Sequence, residues 1–167
     1  MSSIHTILHP TDFSDCSRYA FRLAGMLARE QGARLVILHV KPTLGPMVAY
    51  GEALAELEPD GSQEKLLEIL HRLRVWDPMV QVEHRLVDGE GAQEILRHAA
   101  EIEADLIVRG THGRTGLNGL LMGSVAGEVL RTAPCPVVTV KIPHPVSHAI
   151  QSPTGEPTAT ETTPTSV

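Results

Sequence analysis

Five glycines fall within fourteen residues: Gly110, Gly113, Gly116, Gly119 and Gly123. Ser124 follows the last of them, and Arg114 stands among them. Glycine lets a backbone approach a bound group closely. Consecutive amide N–H groups in such a loop, joined to a helix N-terminus, make an anion site. Ser124 adds a hydroxyl donor and Arg114 a positive charge, so phosphate is the ligand chemistry that fits. The competing reading is an irregular loop ahead of a helix that Ser124 simply caps. The segment is not a Walker loop, since no Gly-Lys-Ser/Thr occurs. Nor is it the Gly-x-Gly-x-x-Gly dinucleotide fingerprint, which comes after a first strand.

Other groups could carry chemistry. Asp12, in Pro10-Thr11-Asp12-Phe13-Ser14, reads either as a general base or as a cap for the helix that starts near Ser14. His9, His39 and His112 all fall at predicted carboxyl ends of strands, but their spacing matches no zinc motif. His5, His71, His84 and His98 read as surface or packing residues. Cys135, between two prolines, reads as a small buried residue at the last strand, and Cys16 lies early in the first helix.

These residues need elements to position them. Aliphatic runs over residues 4–9, 33–40, 80–87, 105–109 and 136–141 predict five strands, and near-continuous β-branched runs suit a parallel sheet covered on both faces. Helical spacing predicts helices over 14–31, 62–76, 92–103 and 124–133. Their alternation predicts an α/β, Rossmann-like doubly wound fold: a five-stranded parallel sheet with helices on both faces. The stretch 42–61 fits neither period and reads as a long connection over one edge. In such sheets ligands bind outside the carboxyl ends of the strands, where the strand order reverses. The glycine segment comes after the fourth strand and Asp12 after the first.

Composition narrows the partners. The chain has 167 residues, enough for one ordinary domain, with 14 Lys+Arg against 20 Asp+Glu and a net charge of −6. That balance lacks the positive field of a nucleic-acid polymer binder and the basic cluster of a membrane-surface protein. The few aromatic residues (Phe13, Tyr19, Phe21, Tyr50, Trp76) make stacking platforms for single strands a poor expectation. No apolar run approaches the roughly 18 residues of a membrane helix, and no signal peptide is expected. The two unpatterned cysteines suit a reducing, cytoplasmic setting. Residues 143–167 hold five prolines and six threonines and neither Lys nor Arg. They are expected to form a disordered tail, leaving 1–142 as the folded domain.

Gly110, two residues, Gly113, nine residues, Gly123-Ser124 resembles the ATP-binding signature of the universal stress protein family, Gly-x2-Gly-x9-Gly-(Ser/Thr). Pro10-Thr11-Asp12-Phe13-Ser14, Leu38-His39-Val40 and Ala133-Pro134-Cys135-Pro136-Val137-Val138 are similar to that family too. The resemblance covers about residues 1–142. It implies a strand order 3-2-1-4-5, with the first and fourth strands adjacent and Asp12 opposite the glycine loop. It implies that Asp12 and Val40 meet adenine, that Pro10, Thr11 and Gly110 line the ribose side, and that Gly113, Gly123, Ser124 and Val125 hold phosphates. Arg114 joins that nucleotide-binding set as a nearby charge. A divalent ion, Mg²⁺ or Mn²⁺, would bridge phosphate oxygens. The resemblance further implies a homodimer paired through the last strand, at Val137, Val138 and Val140.

The chain departs from that family at Arg109, where an apolar residue is usual. Arg109 could pair with Asp12, reach a phosphate, disturb the adenine side, or lie solvated at the strand end. The resemblance implies ATP binding as a regulatory module in stress response, and no nucleophile paired to a base is visible in the sequence. The alternatives are slow hydrolysis or self-phosphorylation, using Asp12 or His112 with Ser124 or Thr115 as acceptor, and a dimeric interaction module without nucleotide.

Overall fold

Strand β1 (Thr6–Pro10) is followed by α1 (Asp15–Gln31), β2 (Arg34–Pro42), α2 (Gly61–His71), β3 (Val82–Gly89), α3 (Gly91–Glu101), β4 (Leu106–Gly110), α4 (Ser124–Thr132) and β5 (Val137–Val140). The computed structural model describes residues 3–43, 61–111 and 123–142. Of the connection expected over 42–61, Pro42 instead ends β2 and Gly61 opens α2, while residues 44–60 and the expected tail at 143–167 lie outside the described residues. The strands form one sheet in the order β3-β2-β1-β4-β5, every pair parallel. This is the expected doubly wound sheet.

Alternation along the strands produces two cores. Ile7, Leu35, Ile37, Leu106 and Val108 point to one face, where they meet Ala20, Ala24 and Ala28 of α1 and Leu70 of α2. Leu8, Val36, Leu38 and Ile107 point to the other, against Ile95 and Ala99 of α3 and Val129 of α4. The α1 stripe is alanine at every fourth residue, so its axis comes close to the sheet. Ser14 caps α1 by accepting from the Ser17 amide, and Gly32 ends it in the left-handed conformation at φ 63°. No helix among the described residues is long and apolar enough to cross a membrane.

Two boundaries differ from expectation for one reason. Helical spacing predicts α2 through Trp76, but the helix stops at His71. The Leu73 carbonyl instead accepts from His84 Nε2 of β3 at 2.8 Å. Leu73 and Val75 then pack into the α1-side core, with Val75 close against Gly25. Tertiary packing here outweighs the helical pattern. The next segment turns outward: Trp76 is 73% exposed, with the Arg29 guanidinium 4.6 Å from its ring centre. Consequently β3 pairs from Val82 rather than Val80, although Val80 remains in the core. Cys135 is half-buried rather than buried, lying at the rim of the α3–α4 core.

All five residues of β1 are buried, including His9. Its Nδ1–H donates to the Val108 carbonyl at 2.8 Å, and its ring lies against Phe21. Burial lowers the His9 pKa from 6.5 to about 4, with the Val108 hydrogen bond opposing. The folded protein therefore holds His9 neutral where the unfolded chain would protonate it. Stability from this group is complete above about pH 6.5 and is lost as pH falls to about 4. The loss is roughly 3 kcal/mol. Urea denaturation of wild type and His9→Leu across that window checks it, and the variant should show correspondingly less acid sensitivity.

Candidate functional site

The chain leaves β1 into α1 on one face of the sheet and leaves β4 towards α4 on the other. The two connections diverge from adjacent strands, opening a crevice at their carboxyl ends. A cavity of about 540 Å³ occupies it. Pro10, Leu38, Val40 and Ile95 supply apolar walls, Arg109 and Gly110 lie at the end of β4, and Gly123 and Ser124 bring in the start of α4. A second cavity of about 530 Å³ lies at the opposite ends of the strands. Two of its charged groups are already engaged: Asp105 accepts from the His5 and Thr6 amides, and Arg34 donates to the Thr6 hydroxyl and the Ile102 carbonyl.

The turn after β1 is tightly fixed. The Thr11 amide donates to the Leu38 carbonyl at 2.8 Å, and the Thr11 carbonyl accepts from His39 Nδ1 at 2.7 Å. The Thr11 hydroxyl accepts from the Phe13 amide and the Ser17 hydroxyl. Phe13 takes a left-handed φ of 64°, and its ring stacks on His39 with centres 4.4 Å apart. Such a conformation persists only where its surroundings hold it. Asp12 Oδ1 accepts from the Ser14 amide and hydroxyl, so it braces the residue that caps α1.

The other side of the cavity is electrically open. Gly123 is the N-cap of α4 and offers no side-chain cap, whereas Ser14 caps α1 and Glu90 caps α3. The first intrahelical bond of α4 runs from the Gly127 amide to the Gly123 carbonyl. The amides of Ser124, Val125 and Ala126 precede it, at the positive end of the helix dipole. A Cβ on Gly123 would meet nothing within 4 Å. On Gly110 it would stand 3.0 Å from Cys16 Sγ, so that glycine admits the first turn of α1. Arg109 Nε donates to the Gly110 carbonyl at 3.1 Å, and its Nη1 is buried without a hydrogen-bond partner. Burial pushes the guanidinium pKa down, and the charge of Asp12 opposes this without forming an ion pair.

A family model described as Universal stress protein family matches residues 3–141. The chain belongs to the universal stress protein family. A universal stress protein of Methanocaldococcus jannaschii is 38% identical over 141 residues, covering 82% of each chain. The universal stress protein YxiE of Bacillus subtilis is 35% identical, covering 78% of this chain and 94% of that one. A solved universal stress protein in complex with cAMP is 26% identical, with a TM-score of 0.62, covering 84% of this chain and 98% of that one.

In this universal stress protein, the cavity brings together Pro10, Thr11, Asp12, Val40, Arg109 and Gly110 with Gly123, Ser124 and Val125. Gly113, Arg114, Gly116 and Gly119 lie outside the described residues, as do His112 and Thr115. His9 and His39 have structural partners: His9 holds β4 and His39 holds the turn after β1. Arg109 is half-buried at the strand end rather than fully solvated, which was one of its expected states. Gly89, Glu90 and Gly91 also line the cavity, although neither glycine spacing nor the family signature points to them. The carboxyl-end rule, applied to the residues after β3, would have found them.

β5 is an edge of the sheet. Val138 and Val140 pack onto the α1-side core, and Val137 onto the α3–α4 core. All four residues of β5 are half-buried, and its outer edge leaves backbone groups open as well.

A half-buried cation with one buried, unpartnered donor costs the free protein stability, and an apolar side chain of similar length removes that cost. Arg109→Met is expected to stabilise the protein by about 1 kcal/mol in the absence of any ligand. Urea titration in nucleotide-free buffer measures it, and Arg109→Lys should not share the gain.

Proposed function

We propose that the cavity at the carboxyl ends of β1, β2 and β4 binds an adenine nucleotide, ATP in the family's signature form, and that the protein acts as a regulatory binding module in stress response in the cytoplasm. The observation that carries this is the uncapped start of α4 facing an apolar-walled crevice. One end suits a flat base and the other a phosphate. The cAMP complex of the 26% identical relative adds support. In this scheme Val40 and the Asp12 turn frame the base, while Pro10, Thr11 and Gly110 flank the ribose. Gly123, Ser124 and Val125, with Gly113 and Arg114 of the loop, take the phosphates.

Mg²⁺ or Mn²⁺ would ride on the phosphate oxygens, lowering their net charge. Among the described residues no cluster of three His, Cys, Asp or Glu side chains is placed to hold an ion itself.

Mass spectrometry of small molecules released from denatured, freshly purified protein should find an adenine nucleotide. Gly123→Val supplies the structural check. The position has an ordinary φ of −56° and open space around it, so the variant should fold. A valine N-cap costs at most about 1 kcal/mol. Its side chain would stand in the phosphate path, and ATP affinity by calorimetry should fall at least tenfold. Unchanged affinity refutes the site.

We also propose a homodimer through β5. The Ile107 and Thr111 amides donate to the Pro136 and Val140 carbonyls, so alternate residues of β5 face β4. Val137 and Thr139 then turn their backbone groups outward, to the free edge. Thr139→Pro removes an outward N–H while leaving the ladder to β4 intact. It should shift the protein from dimer to monomer by light scattering, with little change in circular dichroism. Val138→Asp would be less informative, because Val138 also packs the core.

A further inference from the structure

A helix that faces water normally carries a polar outer side. The outer side of α1 does not. Tyr19 is 41% exposed and Met26 is 54% exposed, and both turn away from Ala20, Ala24 and Ala28 in the core. Arg22 stands between them at helical spacing, on the same stripe. Its guanidinium lies 5.6 Å from the Tyr19 ring centre, and it pairs with no carboxylate among the described residues. The outer side of α3, by contrast, carries Gln93, Arg97 and Glu101.

The chain leaves the described fold beside this stripe. The Val140 carbonyl, at the end of β5, accepts from the Thr111 amide at 2.9 Å and from Cys16 Sγ at 3.1 Å. The exit is thus pinned to the first turn of α1, and Ile142 beyond it is still half-buried. Residues 143–150 then hold Pro143, Pro145, Val146, Ala149 and Ile150, with no acid and no Lys or Arg. All six threonines and both glutamates of residues 143–167 come after residue 150. Apolar character is concentrated in the part of the segment nearest α1.

We propose that residues 143–150 turn back over α1 as a strap and lay their proline and aliphatic side chains on Tyr19 and Met26. The reach is ample. Tyr19 and Met26 are about 10 Å apart along the helix axis, and an extended chain from Val140 to Ile150 covers roughly 30 Å. Pro143 and Pro145 favour an extended backbone whose carbonyls have no internal partner. The Arg22 guanidinium supplies donors for those carbonyls, and aromatic surfaces are the usual seat for proline rings. Little intrinsic affinity is needed, because a short link holds the strap at an effective concentration on the order of millimolar. A second copy of the chain fits less well, since a two-fold contact centred on this stripe would set Arg22 near its own copy.

Limited oxidation by hydrogen peroxide, read by mass spectrometry at Met26, tests the strap. Three proteins are compared: the full chain, a chain ended at Ile142, and a full-length Val146→Asp, Ile150→Asp double variant. Met79, 86% exposed on the turn before β3, is the control site, and circular dichroism verifies each fold. Both altered proteins should oxidise Met26 about threefold faster than the full chain, as expected for a strap docked roughly two-thirds of the time, with Met79 unchanged. If the shortened chain does not fold, the double variant alone decides. Equal Met26 rates in the full chain and the double variant overturn the proposal, and so does acceleration confined to the shortened chain, which would place the cover beyond residue 150. Protection of Met26 that grows with protein concentration identifies a second copy as the occupant and overturns it as well.

Discussion

The burial of β1 constrains the rest of the molecule. It lies between β2 and β4, under helices on both faces, and none of its five residues reaches solvent appreciably. A strand in that position must be apolar or internally satisfied throughout. Ile7 and Leu8 meet the two cores, and His9 is accepted only as a neutral ring bonded to Val108. Pro10 then ends the strand, and Thr11 ties its exit to β2 through Leu38 and His39. Because β1 exits under one face and β4 under the other, the crevice forms where their ladder ends. The cavity is a by-product of covering a central strand from both sides.

Much of this is legible in the residues, because the relevant patterns are local. Aliphatic runs and helical stripes report directly on which faces are buried, so five strands and four helices emerge in the right order. The carboxyl-end rule puts Pro10, Asp12, Val40 and Gly123 beyond the ends of strands, and the family resemblance supplies the strand order that gathers them around one crevice. Boundaries moved where long-range contacts decided them. The end of α2 depends on a hydrogen bond from His84, which lies on a different element. The residue pattern around Leu73 has no means of registering that bond.

The site is legible in its parts but not in its balance of charge. Glycine spacing identifies where a backbone is bare, not why. Gly110 turns out to admit Cys16 and the first turn of α1, while Gly123 opens on empty space. By its position Asp12 could be either a base or a cap, and in the structure its Oδ1 accepts from Ser14, the residue that caps α1. The state of Arg109 cannot be read from sequence at all. Whether a strand-end arginine is solvated or buried depends on how the flanking elements close over it, which is a property of packing and not of its neighbours in sequence.

The outward turn after α2 has an experimental consequence. Trp76 is the only tryptophan of the chain, and it sits on the α1–α2 side of the sheet, exposed and stacked by Arg29. The crevice opens on the α3–α4 side. Intrinsic fluorescence of this protein therefore carries the red-shifted emission of a wetted indole and reports on the contact between the end of α1 and the turn before β3. An optical titration that relies on it would be blind to events in the crevice. A label placed near the start of α4 would see them.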